Sequence, residues 1–145
     1  MLHFAGREDI DSWMRLVEVV KDDFPGLVIS DYKGILAKNI DRKTALCVKC
    51  GDVIVGCLLF SYHSKCLSCM AVHPDHRRKG IASVLIEKMV SMFPEGIDIS
   101  VTTFREGDIK GIAPRALYKK HGFVAGELVS EFNYPNQRFI LQRQW

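Results

Sequence analysis

No apolar run in the chain approaches the ~20 residues needed to cross a bilayer, which excludes a membrane-spanning helix. A strong excess of charge is also missing. Twenty Lys and Arg stand against 17 Asp and Glu, a net charge of +3. That is too balanced for the concentrated basic face a nucleic-acid protein needs, so neither nucleic acid nor membrane is expected as a partner. An even cysteine framework is absent too. Five cysteines suit a reducing compartment better than a set of disulfides. Arg7, Glu8 and Asp9 interrupt the start of the chain before an apolar targeting core could form, and the expected location is the cytoplasm. No internal repeat, low-complexity tract or linker divides the 145 residues, so one domain over 1–145 is expected.

What is present is the 48% hydrophobic and 26% charged composition of a globular domain, with clear periodicities. Ile10, Trp13, Met14, Val17 and Val20 recur at helical spacing and predict a helix over 9–22, with Asp9 as N-cap. A second helix is predicted near 31–40, with Ser30 as its cap. Three hairpin-linked strands follow at 44–50, 53–62 and 66–72, the second apolar on both faces and therefore central. An amphipathic helix over 80–93 carries Ile81, Val84, Leu85, Met89 and Met92 on its stripe and stops at Pro94. A strand over 97–104 completes a crossover unit, which makes it parallel to the strand at 66–72. After a polar loop at 105–112, a helix opens near Pro114 and ends at Gly122. Strands near 123–130 and 137–143 close the chain. The pattern is a mixed α/β domain with a mostly antiparallel sheet.

The most informative segment is 70–85, M-A-V-H-P-D-H-R-R-K-G-I-A-S-V-L. A strand leads through a cationic loop into a helix. Helix N-termini offer unpaired N–H groups and the positive end of a dipole, and Arg77, Arg78 and Lys79 add charge. Gly80 lets backbone approach closely and Ala82 is small. Amides at 78–82 can thus donate to a pyrophosphate, which points to a nucleotide-like cofactor.

Arg77-x-x-Gly80-x-Ala82 after V-x-P resembles the acetyl-CoA signature of the GNAT superfamily of N-acetyltransferases. Ala116-Leu117-Tyr118-Lys119-Lys120-His121-Gly122-Phe123 resembles the second signature of that family, L-Y-x-x-x-G-F. The resemblance spans nearly the whole chain. It implies a twisted sheet with one parallel, splayed strand pair and helices on both faces. It also implies acetyl-CoA as co-substrate and transfer to a primary amine of a small molecule or protein in a ternary complex, by a monomer or homodimer. Pantetheine would pair with backbone at Met70, Ala71 and Val72, where an N–H would also polarise the thioester carbonyl. The phosphates would lie on Arg77, Arg78, Lys79, Gly80, Ile81, Ala82 and Ser83. Tyr118 would protonate the leaving thiolate. The strand 66–71 holds no carboxylate, so Glu106 is the expected base, with Asp108 and His73 as further candidates. The family often carries Asn seven residues before the Tyr, where this chain has Gly111. The acceptor would meet the first two helices and the loop 105–112, where Asp31, Tyr32, Glu106 and Asp108 could face a cationic amine.

Two other readings compete with an enzyme. One is a non-catalytic acyl-CoA sensor. The other is a four-cysteine zinc module, because Cys47-x-x-Cys50 and Cys66-x-x-Cys69 have zinc-like spacing. Residues three apart on a continuous strand point to opposite faces, which opposes zinc, and no metal ligand is expected.

Overall fold

The computed structural model describes residues 1–143. Seven strands form one sheet: β1 (Leu2–Phe4), β2 (Ala45–Cys50), β3 (Val53–Ser61), β4 (Cys66–Val72), β5 (Ile99–Phe104), β6 (Val124–Glu131) and β7 (Tyr134–Leu141). Their spatial order is β1-β2-β3-β4-β5-β7-β6. Every pairing is antiparallel except β4 with β5. The helices are α1 (Ile10–Val20), α2 (Ile29–Arg42), α3 (Ile81–Met92) and α4 (Ile112–Lys120).

Two cores cover the two faces of the sheet. Trp13, Leu16, Val17 and Val20 of α1 and Tyr32, Leu36 and Ile40 of α2 pack on Ala45, Cys47, Cys57, Leu59 and Ala71. Leu85, Ile86 and Met89 of α3 and Tyr118 of α4 pack on the opposite face, against Leu46, Leu58, Phe60, Leu67, Ile99, Val101 and Phe139. Covered on both sides, β3 is buried from Ile54 to Phe60, which is why its sequence is apolar at successive positions rather than alternate ones.

Several local expectations are corrected. The strand β1 was not expected from its three residues; it exists because β2 offers it a partner edge, with His3 opposite Cys47. Asp9 precedes α1 but makes no side-chain cap; its carboxylate accepts instead from the Gly6 N–H at 2.8 Å and from Lys49 Nζ at 2.6 Å. Ser30 lies inside α2, whose N-cap is Val28. On α3, Val84 is exposed and Ile86 takes its place in the core.

The parallel pair positions everything that follows. The pairing of β4 with β5 covers only Cys66 with Ser100 and Leu67 with Val101. A bulge sits just beyond: Phe60 faces Leu67 and Leu59 faces Cys69, so Ser68 is the extra residue. An extra residue bends the strand and shifts its side-chain alternation. Leu67 accordingly packs in the α3 core, while Cys69 packs in the α1–α2 core.

Candidate active site

Among the described residues the edge of β4 toward β5 has no strand partner from Ser68 onward, while the other edge of β5 runs with β7 over its whole length. The result is a wedge-shaped notch. Its β5 wall is braced from behind. Arg105 donates from Nε to the Asn136 carbonyl at 3.0 Å and from Nη2 to the Val129 carbonyl at 3.0 Å. The buried Arg115 donates to the Phe104 carbonyl at 2.9 Å and to Gln137 Oε1 at 2.6 Å, with its guanidinium 4.9 Å from the Phe139 ring centroid. A charge this enclosed is tolerated because Nη1 donates twice and the guanidinium faces an aromatic ring. Sequence reasoning missed both arginines; nothing in their local pattern separates a strand brace from a solvated cation.

The mouth of the notch is the turn between β4 and α3. Arg78 (φ 64°) and Gly80 (φ 82°) both adopt left-handed backbone. Gly80 is the N-cap of α3 and has no side chain to cap it, so the first N–H groups of the helix stay open to a ligand. Gly80, Arg78 and Lys79 are exposed there, and Ile81, Ala82 and Ser83 are half-buried. Arg77 does not stand with the other cations. Its Nε donates to the Val72 carbonyl at 3.1 Å and its Nη2 to Asp23 Oδ2 at 3.3 Å. It thereby ties the end of β4 to the segment between α1 and α2. Lys110, after β5, donates to the Asp22 carbonyl at 3.3 Å, so the same segment is anchored from both splayed strands.

Met70, Ala71 and Val72 face Leu58, Cys57 and Gly56 on β3, leaving their other backbone edge to the notch. Tyr118 is 5% exposed and packs against Phe123 and Phe139. Among the described residues no group hydrogen-bonds its hydroxyl. Burial, and then the Cys69 thiol nearby, push Tyr118 well above the ordinary tyrosine range, so it is a neutral phenol at physiological pH. At the C-terminal end of α4, His121 Nε2 lies 2.9 Å from Ser83 Oγ, which joins α4 to the first turn of α3. That hydroxyl already has a protein partner.

Cys69 lines the opposite side. The Tyr32 hydroxyl lies 3.7 Å from its sulfur and accepts from the Trp13 indole N–H at 2.9 Å. Burial raises the Cys69 thiol to about 11, against a smaller lowering by Tyr32, so the thiol is not ionised near neutral pH. Glu106 is exposed on the loop after β5, and among the described residues it joins no hydrogen bond or ion pair. Asp108 accepts from the Tyr134 hydroxyl at 2.7 Å and from the Lys110 N–H at 3.0 Å. His73 is occupied by the Asp75 N–H, 3.1 Å from Nδ1. Asp31 is exposed. At Gly111 a Cβ would lie 2.9 Å from Phe104 Cβ and 3.1 Å from Arg115 Cδ. A side chain at this position would run into the arginine brace.

The four cysteines with zinc-like spacing do not converge on one point among the described residues. The strand argument against them holds for Cys47 and Cys50, but the bulge at Ser68 removes it for Cys66 and Cys69.

The model of the acetyltransferase (GNAT) domain matches residues 41–125, more than half of the chain. The chain belongs to the GNAT acetyltransferase family. The matched segment runs from the end of α2 through the notch, the α3 turn, α4 and Phe123. No curated protein matches the sequence. Among solved structures, a GNAT-family acetyltransferase from Bacillus cereus is 23% identical, covers 100% of this chain and 98% of its own, and has a TM-score of 0.76. The PaiA N-acetyltransferase of Thermoplasma acidophilum, in complex with coenzyme A, is 16% identical over 98% of both chains, with a TM-score of 0.72. The GNAT-like decarboxylase GphF, in complex with isobutyryl-CoA, is 12% identical over 99% of this chain and 100% of its own, with a TM-score of 0.76. At these identities the likeness is one of fold.

Proposed function

We propose that this GNAT protein transfers an acetyl group from acetyl-CoA to a primary amine by direct attack in a ternary complex. One observation carries the proposal: the unpartnered edge of β4 leads, through the cationic turn at 73–80, to the uncapped N-terminus of α3. An extended pantetheine can pair with that edge as an added strand would. The pyrophosphate then meets the open N–H groups of Ile81, Ala82 and Ser83 and the cations Arg78 and Lys79. The binding of coenzyme A by PaiA and of isobutyryl-CoA by GphF supports the same use of the fold.

In this reading the amine nitrogen attacks the thioester carbonyl carbon, and a backbone N–H of β4 stabilises the developing oxyanion. The C–S bond breaks, and the departing thiolate takes the proton of Tyr118, which solvent then restores. Glu106 is the proposed acceptor of the ammonium proton. A covalent intermediate on Cys69 is disfavoured, because a buried thiol held near 11 supplies little thiolate. Holding the two reactants in contact contributes much of the rate.

The test has two stages. Acetyl-CoA at 100 times its dissociation constant should stabilise the protein by about 2.7 kcal/mol, read as a rise in melting temperature. A panel of amines is then screened for release of free thiol. No thermal shift at millimolar acetyl-CoA refutes the cofactor assignment. A shift without thiol release for any amine refutes the transfer and leaves a sensor. Loss of CO₂ from a carboxylated acyl-CoA, without an amine, would align the chain with the decarboxylase.

A further inference from the structure

Three side chains outside both GNAT signatures converge where β1 meets β2 and the start of α1. His3 lies opposite Cys47 in the ladder, and Asp9 immediately precedes α1. His3 Nε2 is 3.3 Å from Cys47 Sγ and 4.0 Å from Asp9 Oδ2. All three donor atoms lie within 4.8 Å of one another. Among the described residues no other group of His, Cys, Asp and Glu converges in this way.

The geometry separates two uses of such a trio. In a nucleophilic relay the thiol sits on one imidazole nitrogen and the carboxylate orients the other. Here both approach the same nitrogen, as donors do around a shared ion. A tetrahedral ion with bonds of ~2.3 Å to sulfur and ~2.0–2.1 Å to nitrogen and oxygen keeps its donors roughly 3.4–3.6 Å apart; the 3.3 Å between His3 and Cys47 is close to that, and the 4.0 Å between His3 and Asp9 requires the carboxylate to close in on the ion. Imidazole, thiolate and carboxylate form a zinc-type donor set. The Asp9 carboxylate is already oriented, by the Gly6 N–H on Oδ2 and Lys49 Nζ on Oδ1, in the manner of the outer partners that aim metal ligands. Cys47 and Asp9 are buried, whereas the His3 side chain is 36% exposed. That side gives an ion a way in and a water the fourth position.

We propose that His3, Asp9 and Cys47 form a binding site for a zinc-like divalent cation. On binding, the ion replaces the Cys47 thiol proton, which leaves to solvent. The bound ion would clip β1 and the start of α1 to β2, a structural role independent of the acyl-CoA notch. The sequence pattern paired Cys47 with Cys50; the fold pairs it instead with His3, 44 residues away.

The full chain, stripped with chelator, is titrated with Co²⁺ and then Zn²⁺. One Co²⁺ per chain is expected, with a thiolate-to-cobalt charge-transfer band that Zn²⁺ abolishes. His3→Gln, at the exposed ligand, should weaken Co²⁺ binding by at least about tenfold. Cys47→Ser should remove the charge-transfer band, and Cys50→Ser, at the exposed cysteine, should leave it intact. Absence of stoichiometric Co²⁺ overturns the site. So does a band that survives Cys47→Ser, one that depends on Cys50, or affinity unchanged in His3→Gln. If Cys47→Ser does not fold, His3→Gln decides alone.

Discussion

Gly56→Ala tests whether the cofactor turn is held in place from beneath. Gly56 lies on β3 between Val48 and Val72, under the first residue of α3. A Cβ there would overlap the Ile81 Cγ2 methyl outright and come to 3.4 Å from Leu85 Cδ1. Against the ~3.5 Å of an ordinary carbon contact, the overlap with Ile81 exceeds ~1 Å. Cγ2 branches at Cβ, so it clears only if χ1 turns, and χ1 of a helical Ile is nearly fixed. The first turn of α3 must therefore lift. Overpacking of this kind costs about 1–3 kcal/mol, or about 3–9 °C in melting temperature for a domain of this size. The lift also carries the Ile81 and Ala82 amides away from the place proposed for the pyrophosphate. Losing one hydrogen bond to a charged group, worth about 1.5–3 kcal/mol, weakens acetyl-CoA binding at least about tenfold. Thermal melts with and without acetyl-CoA read both effects: a lower melting temperature and a smaller ligand-induced rise. Adding Ile81→Ala removes the clashing methyl, and the pair should show a favourable coupling of about 0.5–3 kcal/mol. A Gly56→Ala protein that melts with the parent refutes the packing argument. One that melts lower but responds fully to acetyl-CoA refutes the link from β3 to the cofactor turn.

Tyr118→Phe should lower kcat by about 10²–10⁴ while acetyl-CoA still raises the melting temperature as in the parent. Stability should change by less than about 0.5 kcal/mol, because the hydroxyl has no protein partner to lose. The raised pKa of Tyr118 keeps the phenol protonated beyond the ordinary tyrosine value of about 10, so a kcat–pH profile should show no loss of this acid below that pH. At Asp9, burial works to raise the carboxyl, but the Lys49 contact, the Gly6 N–H and the charge of His3 outweigh it, and the pKa lies below its usual value. A lowered folded pKa gives stability that is complete above the unfolded value of about 3.9 and is lost as pH falls below it. Asp9→Asn should cost about 1.5 kcal/mol at neutral pH, read by urea unfolding, and should flatten the acid limb of the stability profile.

Much of the layout could be read along the chain. The hairpins between β2, β3 and β4, the apolar run of β3, the crossover through α3 and the Gly122 stop after α4 each leave a pattern in consecutive residues, and they lie where periodicity and turn residues put them. Gly80 opens α3 with a left-handed backbone, which glycine adopts without a Cβ clash. At β1 and at Asp9 the deciding partner lies far off in sequence. Three residues of β1 carry too little pattern to announce a strand that forms only on the edge of β2. Asp9 looks like a cap until Lys49, 40 residues later, takes its carboxylate.

The sequence by itself determined the family and the cationic turn into α3, because both reside in short runs whose backbone conformation is local. It also carried Tyr118 to the right helix. Tertiary structure alone decided that β4 parts from β5 after two residue pairs, because a bulge at Ser68 and the arginine brace behind β5 are set by neighbouring strands. It also turned the Arg77 side chain toward the Val72 carbonyl and Asp23. It also took Cys47 from a sequence pair with Cys50 to a spatial one with His3 and Asp9. In each case the deciding contact joins residues whose separation along the chain says nothing of their distance in space.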